Sequence, residues 1–197
     1  MELSGPVQWL YLKLKLAHLG KDCHLMKNIR VKRPRLIWVG DNVTINKEAF
    51  LYAHPKNKNQ KDPIIIIGNG SVVSEHTYIS AQESIVIEDR VGISPGVVIQ
   101  DHSHGYTDVS LPILDQPVDA IKPIRIGAGS WIGLNAAILP GANIGRNCVI
   151  GINSVVNSPV PDYCVAVGAP ARVVKFYDLE KNQWIKGAPK PLEAQEV

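Results

Sequence analysis

Residues 126–156 read IGAGSW-IGLNAA-ILPGAN-IGRNCV-IGINSV-V, and this stretch decides the fold. Every sixth position is aliphatic, and glycine follows it in four of the six cases. A period of six fits neither the α-helix nor a hairpin, and each unit is too short to bury its own aliphatic side chain. The units must therefore stack on one another. The aliphatic positions are Ile126, Ile132, Ile138, Ile144, Ile150 and Val156.

The same period occurs earlier in the chain, with phase shifts between segments that mark loops or bulges. One β-branched residue per unit, with small or turn-forming residues between, is typical of a parallel β-helix with an aliphatic interior. The sequence therefore predicts an all-β protein built as a parallel β-helix. The earlier segments are Val39 to Leu51, Ile67 to Ile85 and, shifted by two residues, Ile87 to Ile99.

We divide the chain into an N-terminal capping helix at 1–20, a β-helix at 30–175, and a C-terminal helix and tail at 176–197. Two excursions interrupt the repeats. Residues 52–63 are polar and basic, and residues 101–123 lie where the period is lost, which is where functional loops often project from a rigid scaffold.

Two details of the termini complete this division. The alternating leucines between residues 10 and 16 leave a strand as the alternative for the first segment. Trp184 and Ile185 are the expected docking residues of the C-terminal helix.

Composition excludes several classes of protein. The net charge is only +3, which is not the footprint of a general nucleic-acid binder. The apolar runs are too short for a membrane span or a signal-peptide core, so no integral membrane segment is expected. The three scattered cysteines suggest neither a disulfide framework nor a zinc knuckle. We expect a soluble cytoplasmic protein with reduced cysteines.

Two histidines stand at the start of the second excursion, in Asp101-His102-Ser103-His104-Gly105-Tyr106. The ordinary pKa of histidine lies close to neutrality, so a histidine here can act as a general base. A polar turn with solvated imidazoles is the alternative, and spacing alone does not separate the two.

The chain from Val39 to Lys175 resembles the hexapeptide-repeat acyltransferases, most of all the maltose, galactoside, nodulation-factor and polysaccharide-modifying O-acetyltransferases. The resemblance is carried by Trp-Ile-Gly at 131–133, Ile-Leu-Pro-Gly at 138–141 and Gly-Ala-Pro-Ala-Arg-Val-Val-Lys at 168–175. It implies a left-handed β-helix with three hexapeptides per coil. It also implies a homotrimer whose active sites lie between subunits.

The family carries its catalytic base in an aliphatic-x-x-x-x-His stretch before the long loop. Matching Ile99 to that stretch implies that His104 is the base. Either Asp101 or a backbone carbonyl could orient its imidazole. His102 departs from the maltose-type pattern, which has a small residue there, and is closer to the Asp-His-x-His of polysaccharide-type members. The substrate-binding candidates are His102, Tyr106 and Trp131.

The resemblance also implies acetyl-CoA as the co-substrate, with no metal. Ser158 replaces a lysine that is frequent in the family, which weakens one expected contact. No serine or cysteine stands in a nucleophile motif, so a covalent acyl-enzyme is not expected. The candidate groove residues are Gly133, Leu134, Ile152 and Ser158, and the candidate phosphate contacts are Arg172 and Lys175.

The expected activity is transfer of an acetyl group to a hydroxyl of a sugar, a nucleotide-linked sugar or a polysaccharide precursor. N-acetylation of an amino sugar is an alternative. A zinc carbonic anhydrase of the same fold could use His76, His102 and His104, but the His-x-x-x-x-His spacing of that family is missing. A non-catalytic scaffold is the third alternative.

Overall fold

The computed structural model describes residues 5–189. Within them the chain forms one α-helix, α1 (Gly5–Lys15), and 23 short strands. Eighteen of the strands follow one another around three faces, and strands on one face pair in parallel with those of the neighbouring coils. The chain is a left-handed parallel β-helix of triangular section, as predicted.

The strands of each face are given in order along the axis. The first face contains β1 (His18–Leu19), β4 (Ile37–Val39), β7 (Ile65–Ile67), β10 (Ile85–Ile87), β15 (Ile124–Ile126) and β18 (Asn143–Ile144). The second contains β2 (His24–Leu25), β5 (Thr44–Ile45), β8 (Val72–Val73), β11 (Gly92–Ile93), β16 (Trp131–Ile132) and β19 (Val149–Ile150), followed by β21 (Cys164–Gly168). The third contains β3 (Arg30–Lys32), β6 (Phe50–Ala53), β9 (Tyr78–Ala81), β12 (Val98–Gln100), β17 (Ala137–Ile138) and β20 (Val155–Val156).

The interior is filled by the aliphatic residue of each repeat. Ile126 pairs with Ile87 of the preceding coil and with Ile144 of the following one, and all three are fully buried. Each such side chain contributes roughly 1.5–3 kcal/mol by leaving water. The fold is therefore stabilised by many similar buried side chains along the axis, each of which makes a moderate contribution to the free energy of folding.

Asparagine and aspartate side chains link successive coils at one corner. Asp89 Oδ1 accepts a hydrogen bond from the backbone N–H of Asn69 at 2.7 Å, and Asn69 Oδ1 accepts one from the N–H of Asp41 at 2.8 Å. The side chains thus satisfy backbone donors that the turns would otherwise leave without a partner.

The β-helix begins earlier than predicted. Its first coil starts at β1, so the predicted boundary at residue 30 is wrong. Leu19, Leu25 and Val31 continue the six-residue period, but the charged and polar residues around them hide it. Helix α1 precedes this coil, with Leu12 buried.

The predicted C-terminal helix is also wrong. The chain there forms an antiparallel hairpin of β22 (Ala171–Asp178) and β23 (Gln183–Lys186), which continues the second face from β21. The open edge of β21 supplies backbone hydrogen-bond partners that a helix could not use. Tyr177 and Trp184 face each other across the hairpin, with ring centroids 5.5 Å apart. The tail beyond 189 lies outside the described residues.

The two excursions differ in form. The first begins at His54, two residues later than predicted, because Tyr52 and Ala53 belong to β6, and it carries mostly exposed polar residues. The second is an arm in which β13 (Ser103–His104) pairs in antiparallel fashion with β14 (Val118–Asp119). Among the described residues there is no helix long and apolar enough to span a membrane.

Candidate active site

A buried carboxylate anchors the long arm where it leaves the third face. Asp101 has no exposed surface. Its Oδ1 accepts a hydrogen bond from the N–H of Gln82 at 2.8 Å, and its Oδ2 accepts from Glu83 at 2.8 Å and Ser84 at 2.9 Å. One aspartate therefore ties the start of the arm to the turn of the preceding coil.

The same carboxylate holds His102. Its Oδ1 lies 2.8 Å from Nδ1 of the His102 ring, whose side chain is 14% exposed. Burial works to raise the pKa of Asp101, but the hydrogen bonds from His102 and the three backbone N–H groups outweigh it and hold this pKa below its ordinary value. When Nδ1 donates to Asp101, the neutral ring presents a lone pair at Nε2.

His104 is placed differently. It is exposed and lies in β13 opposite Val118, and its side chain has no hydrogen-bond partner among residues 10–189. Asp101 is one candidate to orient His104, but in this structure its carboxylate contacts His102. The Cα atoms of His102 and His104 nevertheless lie close together, because two residues of extended chain span at most about 7 Å.

Sequence reasoning missed His54. The register of β6, β9 and β12 places Tyr52 and Gln100 on one row of the third face, and His54 and His102 each follow by two residues. Burial lowers the pKa of His54, and nearby positive charges, including that of His102, lower it further. The strand register was the signal that could have found it, but the first excursion interrupts the repeat directly after this histidine.

Tyr106 and Trp131 lie in different elements of the fold. Tyr106 is exposed on the arm, whereas Trp131 is 55% exposed on the second face. The Trp131 ring lies over Gly92, where an added Cβ would come within 2.5 Å of Cε3 of the indole.

The candidate CoA residues are divided between two corners. The carbonyl of Leu134 accepts a hydrogen bond from the N–H of Asn153 at 2.9 Å, which places Leu134 beside the turn that contains Ile152. Gly133 allows this close approach, since a Cβ there would lie 2.6 Å from the carbonyl oxygen of Ile150. Ser158 lies in the exposed turn that follows β20. It is therefore at the opposite edge of the third face from Leu134, which precedes β17.

Arg172 lies close to the corner that contains Leu134 and Ile152. It pairs with Val167 of β21, whose side chain closely approaches Gly151, the residue before Ile152. Lys175 lies further along β22, opposite Lys186. An exposed apolar row therefore ends at basic residues, which suits a chain-like ligand with a phosphorylated end.

The histidines proposed for zinc are not assembled. His76 lies 3.2 Å from Glu48 Oε2 at another corner. Across residues 5–189, no group of three or more His, Cys, Asp or Glu side chains is arranged to hold a metal ion. The three cysteines are free, and burial, with the nearby Cys148 and Asp162, raises the pKa of Cys164 to about 11.

Comparison with known proteins identifies relatives across most of the chain, although no family model matches. A probable acetyltransferase of Mycobacterium tuberculosis is 34% identical over 181 residues, covering 85% of this chain and 55% of that protein. A putative lipopolysaccharide biosynthesis O-acetyl transferase of Escherichia coli is 33% identical, covering 62% of this chain and 66% of its own length. The chain thus spans only about half to two thirds of these two relatives.

Solved structures share the fold. An N-acyltransferase from Bacillus cereus, in complex with dTDP and 3-hydroxybutyryl-CoA, superposes with a TM-score of 0.74 at 21% identity, covering 92% of this chain and 93% of that one. A hexapeptide-repeat acetyltransferase from Vibrio cholerae, complexed with acetyl coenzyme A, superposes with a TM-score of 0.62 at 22% identity, covering 86% and 75%. At these identities the likeness shows the fold.

Family membership follows from a third sequence relative. The galactoside O-acetyltransferase of Escherichia coli is 32% identical over 149 residues, covering 75% of this chain and 68% of that enzyme. With the six-residue repeat and the triangular β-helix, this match shows that the chain belongs to the hexapeptide-repeat acyltransferase family.

Proposed function

We propose that this protein transfers an acetyl group from acetyl-CoA to a hydroxyl of a sugar, a nucleotide-linked sugar or another polysaccharide precursor. The observation that carries the proposal is the pair His102 and His104 at the base of the arm, anchored by the buried Asp101. Sugar O-acetyltransferases among the relatives support this substrate class.

The reaction needs one well-placed base. The acceptor oxygen attacks the thioester carbonyl carbon as its proton passes to His104, and the proton then goes to the departing CoA thiolate. The acetyl group moves from sulfur to oxygen, so no acyl-enzyme and no metal are required. Backbone N–H groups of a neighbouring coil would stabilise the oxyanion.

The structure adds a second candidate for the base. Asp101 lies within hydrogen-bond distance of Nδ1 of His102. With a proton on Nδ1 the neutral ring can accept a proton at Nε2, which is the arrangement a general base needs. In our proposal His104 is the base and His102 binds the acceptor. Single variants of the two histidines decide between the assignments.

We also propose a homotrimer that acts in the cytoplasm, with each site shared by two subunits. The row of Leu134 and Ile152, with Arg172 and Lys175 beyond it, would hold CoA, and the arm carrying Tyr106 would reach the groove of the neighbour. Trp131 and the histidines lie on different parts of one chain, which supports a shared site.

The second candidate reaction is N-acylation of an amino sugar. The favouring observation is the fold likeness to an N-acyltransferase crystallised with dTDP and an acyl-CoA. The same base would remove a proton from an amine instead of a hydroxyl.

The test is release of CoA thiol from acetyl-CoA across a panel of neutral sugars, amino sugars and nucleotide-linked sugars. An ester product is cleaved by hydroxylamine, whereas an amide is not, so the product distinguishes the two reactions. His104→Ala should lose about 10²–10⁴ in turnover with unchanged CoA affinity. His102→Ala should lose less.

The exposed His76 provides the matched control, and His76→Ala should be fully active. An inactive His102→Ala beside a nearly normal His104→Ala would make His102 the base. Full activity of both would place the site elsewhere. A 21.6 kDa monomer in sedimentation equilibrium would exclude the shared site.

A further inference from the structure

Three aromatic rings form a cluster on the outer side of the third face. Phe50 and Tyr52 of β6 and Tyr78 of β9 are half-buried. Their ring centroids lie 5.9 Å apart for Phe50 and Tyr52, 6.0 Å for Phe50 and Tyr78, and 5.7 Å for Tyr52 and Tyr78. We refer to these three residues as the aromatic cluster. Partly exposed rings supported by one another offer a rigid apolar surface.

Basic residues border the aromatic cluster on the preceding coil. The Arg30 guanidinium lies 5.1 Å from the centre of the Phe50 ring, and Lys32 is paired in register with Tyr52. Residues 27–63, which include these strands and the first excursion, contain nine lysines and arginines against three acidic residues. Since the whole chain carries only +3, its positive charge is concentrated here.

The cluster adjoins the candidate active site. The Tyr52 ring meets His54 edge to face, with centroids 5.6 Å apart. The order along the third face is cations on β3, rings on β6 and β9, and then the arm with His102 after β12. Four neighbouring strands span about 14 Å, which matches a sugar ring joined to a diphosphate.

We propose that the aromatic cluster with Arg30 and Lys32 is the acceptor-binding surface, and that the acceptor is a sugar joined to a nucleoside diphosphate. The sugar would stack on Tyr52 and Tyr78 with a hydroxyl or amine toward the histidines. The diphosphate would lie against Arg30 and Lys32. This inference rests on the proposed function, since it gives the transferase its acceptor class.

The chemistry selects this ligand over a neutral sugar. Aromatic faces bind the C–H side of a sugar or a nucleobase, and Arg and Lys bind phosphate oxygens. The positive charges also act on the adjoining histidine: burial lowers the pKa of His54, and Lys32, His102 and Arg33 lower it further. A bound diphosphate would relieve that repulsion.

Titration calorimetry tests the proposal with UDP-glucose and dTDP-glucose as probes and with free glucose for comparison. Both nucleotide sugars should bind and free glucose should not. Tyr52→Leu should weaken binding at least about tenfold, the expected loss of a stacking ring, while Tyr52→Phe should retain most of it. Lys32→Gln should weaken binding severalfold and reduce its dependence on salt.

Matched controls come from the C-terminal hairpin, where Trp184 is an exposed ring and Lys186 an exposed cation. Trp184→Leu and Lys186→Gln should bind both probes as the wild type does. All variants should bind CoA normally and keep the oligomeric state of the wild type.

Three results would overturn the proposal: no binding of either nucleotide sugar at millimolar concentration, unchanged binding by both Tyr52→Leu and Lys32→Gln, or conversion of Tyr52→Leu to a monomer. The last result would make the cluster a contact between copies. Thiol release with a neutral sugar, unaffected by these variants, would refute this surface while the transferase function stands. Binding of nucleotide sugars without thiol release from any acceptor of the panel would refute the transferase function and, with it, the acceptor role of a surface that still binds nucleotide sugars.

Discussion

The coils from β15 to β20 and the arm at 101–123 are stabilised in different ways. In the coils, one aliphatic side chain in every six is fully buried, and each makes the same kind of contact with the coil on either side. In the arm, most side chains are exposed, Val109 to 99%, and the buried carboxylate of Asp101 fixes its start. Stability is thus distributed over the coils, whereas the arm is held by a few polar contacts, chiefly those of the buried Asp101 and Gln116.

The residues that stabilise the coils are therefore different from the candidate catalytic residues. The interior of the coils is mainly aliphatic and includes the buried thiols of Cys148 and Cys164, whereas the candidate catalytic residues lie where the chain leaves the repeat. The buried carboxylate is tolerated at that boundary because it accepts four hydrogen bonds. We expect substitutions to follow the same division, from the coil interior to the arm and then to the coil exterior.

The largest effect is expected inside the coils. Ile138→Asp should abolish folding, because an unpaired buried charge costs several kcal/mol against a total stability of about 5–15 kcal/mol. The control is Val149→Asp, whose side chain points outward and is partly exposed. Far-UV circular dichroism should show β-structure only for the control, and a folded Ile138→Asp protein would contradict the dry interior.

The next effect is expected at the anchor of the arm. Asp101→Asn should lower the free energy of unfolding by roughly 2–4 kcal/mol at neutral pH, because an amide cannot replace all of the charge-assisted bonds. Chemical denaturation measures the loss. Asp119→Asn, on the same arm and half-buried, is the control and should change little.

The pH dependence of this loss tests its electrostatic origin. The pKa of Asp101 is lower in the folded chain than in the unfolded one, so its ionised form stabilises the fold above the unfolded pKa. That stabilisation disappears as the pH falls through the folded pKa. The difference between wild type and Asp101→Asn should therefore be full near pH 7 and shrink in acid. A constant difference would refute the ionised anchor.

The coils could be predicted from the sequence because their geometry repeats. Each unit places its aliphatic residue in the same environment, so one period predicts many contacts. The same rule failed at the termini. Leu19 and Leu25 continue the period among polar residues, and at the other end β21 pairs with β22, which pairs in turn with β23. In both places a neighbouring coil decided the structure.

The site was less accessible to sequence reasoning. The Asp-His-x-His motif predicts where the candidate site lies, and the family resemblance selects His104 as its base. The partners of Asp101 depend on where the turn at 82–84 lies, which the sequence does not show. His54 and the aromatic cluster join the site through strand register, which the first excursion hides.

The next prediction concerns the coil exterior, where Trp131 covers Gly92. A Cβ at residue 92 would come within 2.5 Å of the indole, but Trp131 is exposed enough to move away. Gly92→Ala should therefore cost only about 1 kcal/mol. In a Trp131→Ala background the same change should cost less, and equal costs in both backgrounds would show that the contact is unimportant.

The smallest effect is expected for an ion pair on the outside of the coils. Arg125 and Glu88 form a salt bridge between neighbouring coils, and the Arg125 side chain is 53% exposed. Exposed pairs contribute about 0–1 kcal/mol and are screened by salt, so Arg125→Gln should lower stability within that range at low salt and by less in 1 M NaCl. Glu88 also accepts a hydrogen bond from the N–H of Ala128 at 2.9 Å, so Glu88→Ala should cost more than Arg125→Gln. Denaturation curves at two salt concentrations measure all three proteins. A loss above 2 kcal/mol for Arg125→Gln would mean that the exterior charges, and not only the buried aliphatic residues, hold adjacent coils together.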